Sequence, residues 1–202
     1  MDRRIERTRH HLQEALLSLI REMPFEEIEI QAITDRANTA RVTFYRHYAT
    51  KTELLLDCLA AIYDQIMCIM TPYELDVVLD LNQSPPCLTL FEFLDQDREL
   101  YRRLAMGSVG AMVQQRVREY IVEENLSMFG RSARYADLPI GLMANHIASC
   151  IVGNVVWWLT DGTGYAAAYI ARMTHAMALT GALTIVGRQE DIVMPRVPPV
   201  AE

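Results

Sequence analysis

Between residues 138 and 187 only Asp161 and Arg172 are charged, and no other feature restricts the fold of this chain so severely. Residues 138–160 form a run of twenty-three without a charge, and residues 173–187 add fifteen more. A helix that is apolar on every side must be covered on every side. Three coverings fit. The run is long enough to span a bilayer, although Pro139, Asn145, His146, Ser149 and Asn154 speak against it. It could be the central helix of a monomer core. Alternatively a second copy of the chain covers the face that one copy cannot. The small residues Ala144, Ala148, Gly153, Ala171, Ala178, Gly181 and Ala182 suit close helix approach. The second copy is favoured, giving a homodimer through the last two helices and no membrane contact.

The remaining chain reads as helix throughout, so the expected class is all-α. In residues 3–22, Ile5, Leu12, Ala15, Leu16, Leu19 and Ile20 fall on one face of a 3.6-residue period, and Pro24 stops that helix. A short helix is expected over 30–37, broken by Asn38, which tolerates the left-handed backbone of a sharp turn. Another is expected over 41–47 with Thr39 as its N-cap. Two short helices behind a long one make a helix-turn-helix arrangement. A longer helix over 50–70 carries Leu54, Leu55, Cys58, Leu59, Ile62, Ile66 and Ile69 inward. Residues 72–86, between Pro72 and Pro85-Pro86, read as a loop. Helices follow over 87–95, 97–106 and 109–129, with 131–137 as a linker and an extended or disordered tail from Arg188. The expected domains are a helix-turn-helix domain over 1–49, a helical ligand-binding and dimerisation domain over 50–187, and a tail over 188–202.

With 51% hydrophobic and 22% charged residues, the 202-residue chain is too apolar to be disordered as a whole. Its four cysteines have no metal or redox spacing, and its N-terminus lacks the apolar segment of a signal peptide. A cytoplasmic protein with reduced thiols is expected. The net charge of −7 arises entirely after residue 53, where ten cations face seventeen anions. Residues 35–51 instead carry Arg36, Arg41, Arg46 and Lys51 against Asp35 alone, with His47 beside them. A local basic cluster on an acidic chain points to one anion-binding surface.

The cluster lies within a recognisable pattern: Ala37, Arg41, Thr43-Phe44-Tyr45-Arg46, His47-Tyr48, Lys51 and Glu53-Leu54-Leu55, preceded by Phe25-Glu26-Glu27-Ile28. Over residues 3–60 the chain resembles the DNA-binding domain of the TetR family of bacterial transcriptional regulators. The resemblance implies a homodimeric, ligand-released repressor bound to a palindromic operator in double-stranded DNA, with the effector in the C-terminal helices. Arg41, Val42 and Thr43 would open the groove-reading helix. Arg41 suits guanine O6 and N7, and the methyls of Val42 and Thr43 suit thymine. Tyr45, His47 and Lys51 match the family's phosphate-contacting positions, and Arg46 is a further candidate. Three residues depart from the pattern: Asn38 for a glycine, Val42 for a small residue, and Glu29 for the threonine or serine that caps the second helix.

Tyr63, Met67, Met70, Phe91, Leu94, Met112 and Trp157 are the candidates for lining an apolar effector pocket, although residues of these types at helical spacing are commonly core. Of the adjacent Trp157 and Trp158, one could face the pocket and the other the dimer seam. No phosphate loop, H-E-x-x-H or nucleophile elbow is present. Glu123 and Glu124 diverge on a helix, and His146 with His175 lacks a carboxylate or thiol partner for a metal. No catalytic residue, metal or cofactor is therefore expected. The rival class is a small helical enzyme or ligand carrier whose N-terminal helices are only structural.

Overall fold

The computed structural model describes residues 3–69, 74–107, 109–161 and 164–194. Ten α-helices are present among them: α1 (Arg3–Glu22), α2 (Ile30–Arg36), α3 (Arg41–His47), α4 (Lys51–Ile69), α5 (Leu75–Leu79), α6 (Leu88–Asp95), α7 (Arg98–Met106), α8 (Gly110–Gly130), α9 (Ile140–Thr160) and α10 (Ala167–Ile185). The chain is all-α, and the one β-bridge among the described residues joins Asp80 to Val193. The fold divides into two compact units, residues 1–67 with 99–113 and residues 68–98 with 114–202.

The first unit is built on the period read in α1. Leu12, Leu16, Leu19 and Ile20 are buried with Ile28, Ile33, Phe44, Leu54, Leu55 and Cys58, and Leu100 and Leu104 complete that core. Burying such side chains stabilises by roughly 1.5–3 kcal/mol each, which is what holds α2 and α3 in place, since two-turn helices are not stable alone. Asn38 adopts φ 49°, the left-handed turn expected of it, and the Thr39 N–H reaches back to the Thr34 carbonyl at 2.9 Å. The expected N-cap at Thr39 is corrected. Ala40 caps α3, and its carbonyl accepts from the Thr43 and Phe44 N–H groups with no side-chain bond. Glu29 likewise caps α2 without a side-chain hydrogen bond. The start of α4 is better supported: Thr50 Oγ accepts the Glu53 N–H at 3.1 Å, and the Glu53 carboxylate accepts the Ala49 N–H at 2.6 Å.

In the second unit α9 and α10 pack together, with Met143, Ile147, Ala178, Leu179, Ala182 and Leu183 in one core. Close approach is real at Gly181: a Cβ built there would lie 2.8 Å from His146 Nε2. The two histidines do not form a pair, because His175 Nε2 instead bonds the Val78 carbonyl at 2.9 Å. Burial pushes the His175 pKa down, opposed by that bond. No cluster able to hold a metal occurs among the described residues.

Three segments differ from the sequence reading. The loop at 72–86 contains α5, whose Val78 and Leu79 are buried. Five residues are too few to show a helical period. The linker at 131–137 contains a 3₁₀ turn, Ala133–Tyr135, in which Tyr135 is fully buried, edge-on to Phe129 at 5.1 Å. Its hydroxyl donates to Asp191 at 2.9 Å, and Arg134 pairs with the same carboxylate. The start of the tail is therefore folded, not extended or disordered. Ile192 is buried, and Val193 exchanges backbone hydrogen bonds of 2.9 Å with Leu79 and Leu81. The expectation for residues 195–202 lies outside the described residues.

Candidate nucleic-acid interface

Alternation along α3 divides it into an anchored and a presented side. Phe44 is fully buried and Tyr48, just past the helix, is nearly so. Arg41, Val42, Tyr45 and Arg46 are exposed, with Val42 at 62% and Tyr45 at 49%. Thr43 and His47 are half-buried at the flanks. Exposed valine and tyrosine beside two arginines gain nothing from a water-facing position. They suit a surface that meets both base methyls and phosphates.

Arg41 Nη2 donates to the Tyr45 hydroxyl at 3.3 Å, and the guanidinium carbon lies 5.8 Å from the centre of that ring. Tyr45, mainly through that bond, and the more distant charge of Glu29 favour the charged guanidinium. The pairing pre-orders a residue that otherwise carries large rotamer freedom.

Two basic residues are already engaged. Arg36 holds the Glu22 carboxylate with both terminal nitrogens, at 2.7 and 2.9 Å, and bonds Ser18 at 2.7 Å. The basic cluster is thus smaller than its charge count suggests. Lys51 differs more from expectation. Its Nζ donates to the carbonyls of Phe25, Glu26 and Ile28 at 2.8–2.9 Å and sits 4.9 Å from the Phe25 ring centre. An ammonium has three protons, so all of them are committed to the turn between α1 and α2.

The seat of α3 involves residues that sequence reasoning missed. Asp57 of α4 accepts from the Tyr48 hydroxyl at 2.5 Å, from Gln13 at 2.9 Å and from Arg9 at 2.5 and 3.3 Å. Burial alone would raise the Asp57 pKa, but its donors, led by Tyr48 and Arg9, outweigh it and hold the carboxyl below its usual range. Burial and the neighbouring carboxylate push the Tyr48 phenol well up. The available signal was a lone acid bordering the apolar stripe of Leu54, Leu55 and Cys58.

The ligand candidates are placed unevenly. Phe91 and Leu94 are buried in the second unit, with Phe91 edge-on to Trp158 at 5.4 Å. Trp158 is fully buried, donates to the Tyr165 carbonyl at 2.9 Å and carries Arg98 over its ring at 4.0 Å. Trp157 points outward, 44% exposed, with Tyr165 at 6.1 Å and Tyr169 stacked beyond it at 5.6 Å. Met112 is half-buried and belongs to the first unit. The side chains of Tyr63 and Met67, and all of Met70, lie outside the described residues.

Comparison with known proteins follows the same division. Residues 12–58 match the profile of bacterial regulatory proteins of the tetR family. The uncharacterized HTH-type transcriptional regulator YxbF of Bacillus subtilis (strain 168) is 25% identical over 177 residues, which is 85% of this chain and 44% of that protein. The chain thus spans less than half the length of that relative. The crystal structure of a tetR-family transcriptional regulator from Streptomyces coelicolor superposes with a TM-score of 0.67 over 93% of this chain and 87% of its own, at 19% identity, which speaks for the fold. The matched segment runs from within α1 through α2 and α3 into the start of α4, so residues 12–58, the part of the chain that presents α3, are similar to the bacterial regulatory proteins of the tetR family.

Proposed function

We propose that this chain is a sequence-specific DNA-binding transcriptional regulator, a homodimeric repressor released from a palindromic operator by a small-molecule effector. The carrying observation is the presented face of α3. Arg41, Val42, Tyr45 and Arg46 stand in solvent on a helix whose opposite side is locked by Phe44. Arg41 and Val42 would read base edges, while Tyr45, Arg46 and His47 would hold phosphates. Thr43, half-buried, would offer its methyl at the edge of the contact. Lys51 would support the same surface from behind by fixing the turn at Phe25–Glu27.

Two such helices must lie about one DNA turn apart, roughly 34–36 Å, to use adjacent half-sites. The uncharged outward residues of α9 and α10, among them Leu142, Trp157 and Met177, supply a surface for joining two copies. Residues 1–49 would read DNA and residues 50–187 would bind effector and partner. Phe91, Leu94 and Met112 remain the described pocket candidates, with Tyr63, Met67 and Met70 beside them in the sequence reading, while the exposed Trp157 is assigned to the surface for the second copy. A DNA-bound regulator of this kind works in the cytoplasm and needs no cofactor.

The test is fluorescence anisotropy of labelled DNA from the upstream region of the gene, titrated at two salt concentrations with excess nonspecific competitor. Binding that survives the competitor and weakens with salt supports the reading. If neither that region nor any duplex selected from random DNA binds, the enzyme or carrier reading replaces it.

A further inference from the structure

We propose that the hydrogen bond between the Tyr48 hydroxyl and the Asp57 carboxylate is a positioning contact that sets the pitch of α3 for base reading. The inference rests on the DNA-binding reading and goes beyond it by assigning a role to residues that face away from DNA.

Helix α3 has only seven residues and starts on Ala40, with no side chain bonding its first N–H groups. Its orientation is set by the turn that joins it to α2, by Phe44 and by its C-terminal end. Phe44 supplies apolar contact, which is strong but weakly directional. Tyr48 supplies direction. Its backbone has left the helix, with φ −142° and ψ 131°, and its ring passes into the core. There the hydroxyl donates to Asp57 Oδ2 at 2.5 Å. Arg9 Nε lies 3.3 Å from both that hydroxyl and the same carboxylate oxygen, and Gln13 bonds the oxygen as well. One carboxylate on α4 thereby gathers the end of α3 and two residues of α1.

A bidentate contact between Arg41 and a guanine tolerates little displacement. Hydrogen bonds at the far end of a two-turn helix restrict its rotation about the Phe44 anchor, and that rotation would move Arg41 most. Tyr48→Phe removes one oxygen, retains the ring, and leaves Asp57 with Arg9 and Gln13, so the domain still folds.

The experiment uses the full chain and the duplex that wild type enriches from a random 30-base-pair library. Affinity is measured well below the melting midpoint, alongside a scrambled duplex. Tyr48→Phe should weaken the enriched duplex about tenfold, the equivalent of one ordinary hydrogen bond, with the scrambled duplex changed by less than about twofold. Asp57→Asn, which keeps an acceptor oxygen, should retain more specific affinity than Asp57→Ala. Tyr48→Phe should add less to Asp57→Ala than it costs in wild type, because the hydroxyl then retains only its contact with Arg9. Amide exchange over residues 41–47 should quicken in Tyr48→Phe while that of α1 is unchanged.

A lowered melting point with unaltered specific affinity would make the contact merely structural and overturn the proposal. Equal losses on both duplexes would do the same. If wild type enriches no duplex, the DNA-binding reading falls first and takes the proposal with it.

Discussion

Arg41 and Lys51, ten residues apart and of the same charge, meet opposite surroundings. Arg41 stands in solvent against one phenol, whereas Lys51 is held by three carbonyls. Arg41→Ala should cost about 1–3 kcal/mol of discrimination against a changed base at its half-site position, measured by competition with single-base variants of the bound duplex. Lys51→Met should lower folding stability by about 1–3 kcal/mol, since three carbonyls lose a charged donor, as read by urea denaturation. It should leave the salt slope of DNA binding nearly unchanged, whereas loss of a phosphate contact would reduce that slope by about one. The position of Lys51 was legible from the motif. Its carbonyl partners were not, because they come from a turn more than twenty residues away.

At the scale of elements, α1 and α4 were legible because each repeats its apolar face over several turns, and α9 and α10 because their uncharged runs are long. Short elements were not. Helix α5 is held by partners distant in sequence, through the buried His175 on the Val78 carbonyl and the Val193 bridge. That histidine makes stability depend on pH. Its folded pKa lies below the unfolded value near 6.5. The contribution is thus complete above about pH 6.5 and is lost as pH falls through the folded value. The urea midpoint should therefore decrease between about pH 7 and pH 5, and His175→Gln should flatten that decrease.

The α9–α10 contact gives a second element-scale prediction. Gly181→Ala gains helix propensity, yet its methyl meets the exposed His146 ring. In a His146→Ala background the same change should stabilise by roughly 0.5–1 kcal/mol, and by less with the ring present. Thermal melts of the four variants of the cycle measure the difference.

For the whole molecule, the shortage of charge across residues 138–187 has a structural counterpart in α9 and α10. Both helices bury one side in their own unit, yet Leu142, Trp157, Met177 and Ile185 stay exposed. A surface of this kind suits a second copy of the chain. Sedimentation should give a mass of about twice 23.1 kDa. Trp157→Asp with Met177→Arg should shift it toward the monomer and weaken binding to a two-half-site duplex far more than to a single half-site.

The sequence by itself determined the helical class, the order of the long helices, the left-handed turn at Asn38 and the short helix that follows it. These depend on local period, backbone preference and a compact motif, all of which lie within a few turns of chain. Tertiary structure alone decided that Lys51 closes the α1–α2 turn, that Arg36 is spent on Glu22, that Tyr135 and Ile192 are buried, and that Asp57 seats Tyr48. Each of these couples residues on different elements. Whether a charge is free to meet a phosphate depends on which partners the fold brings within hydrogen-bond reach, and no local pattern encodes that distance.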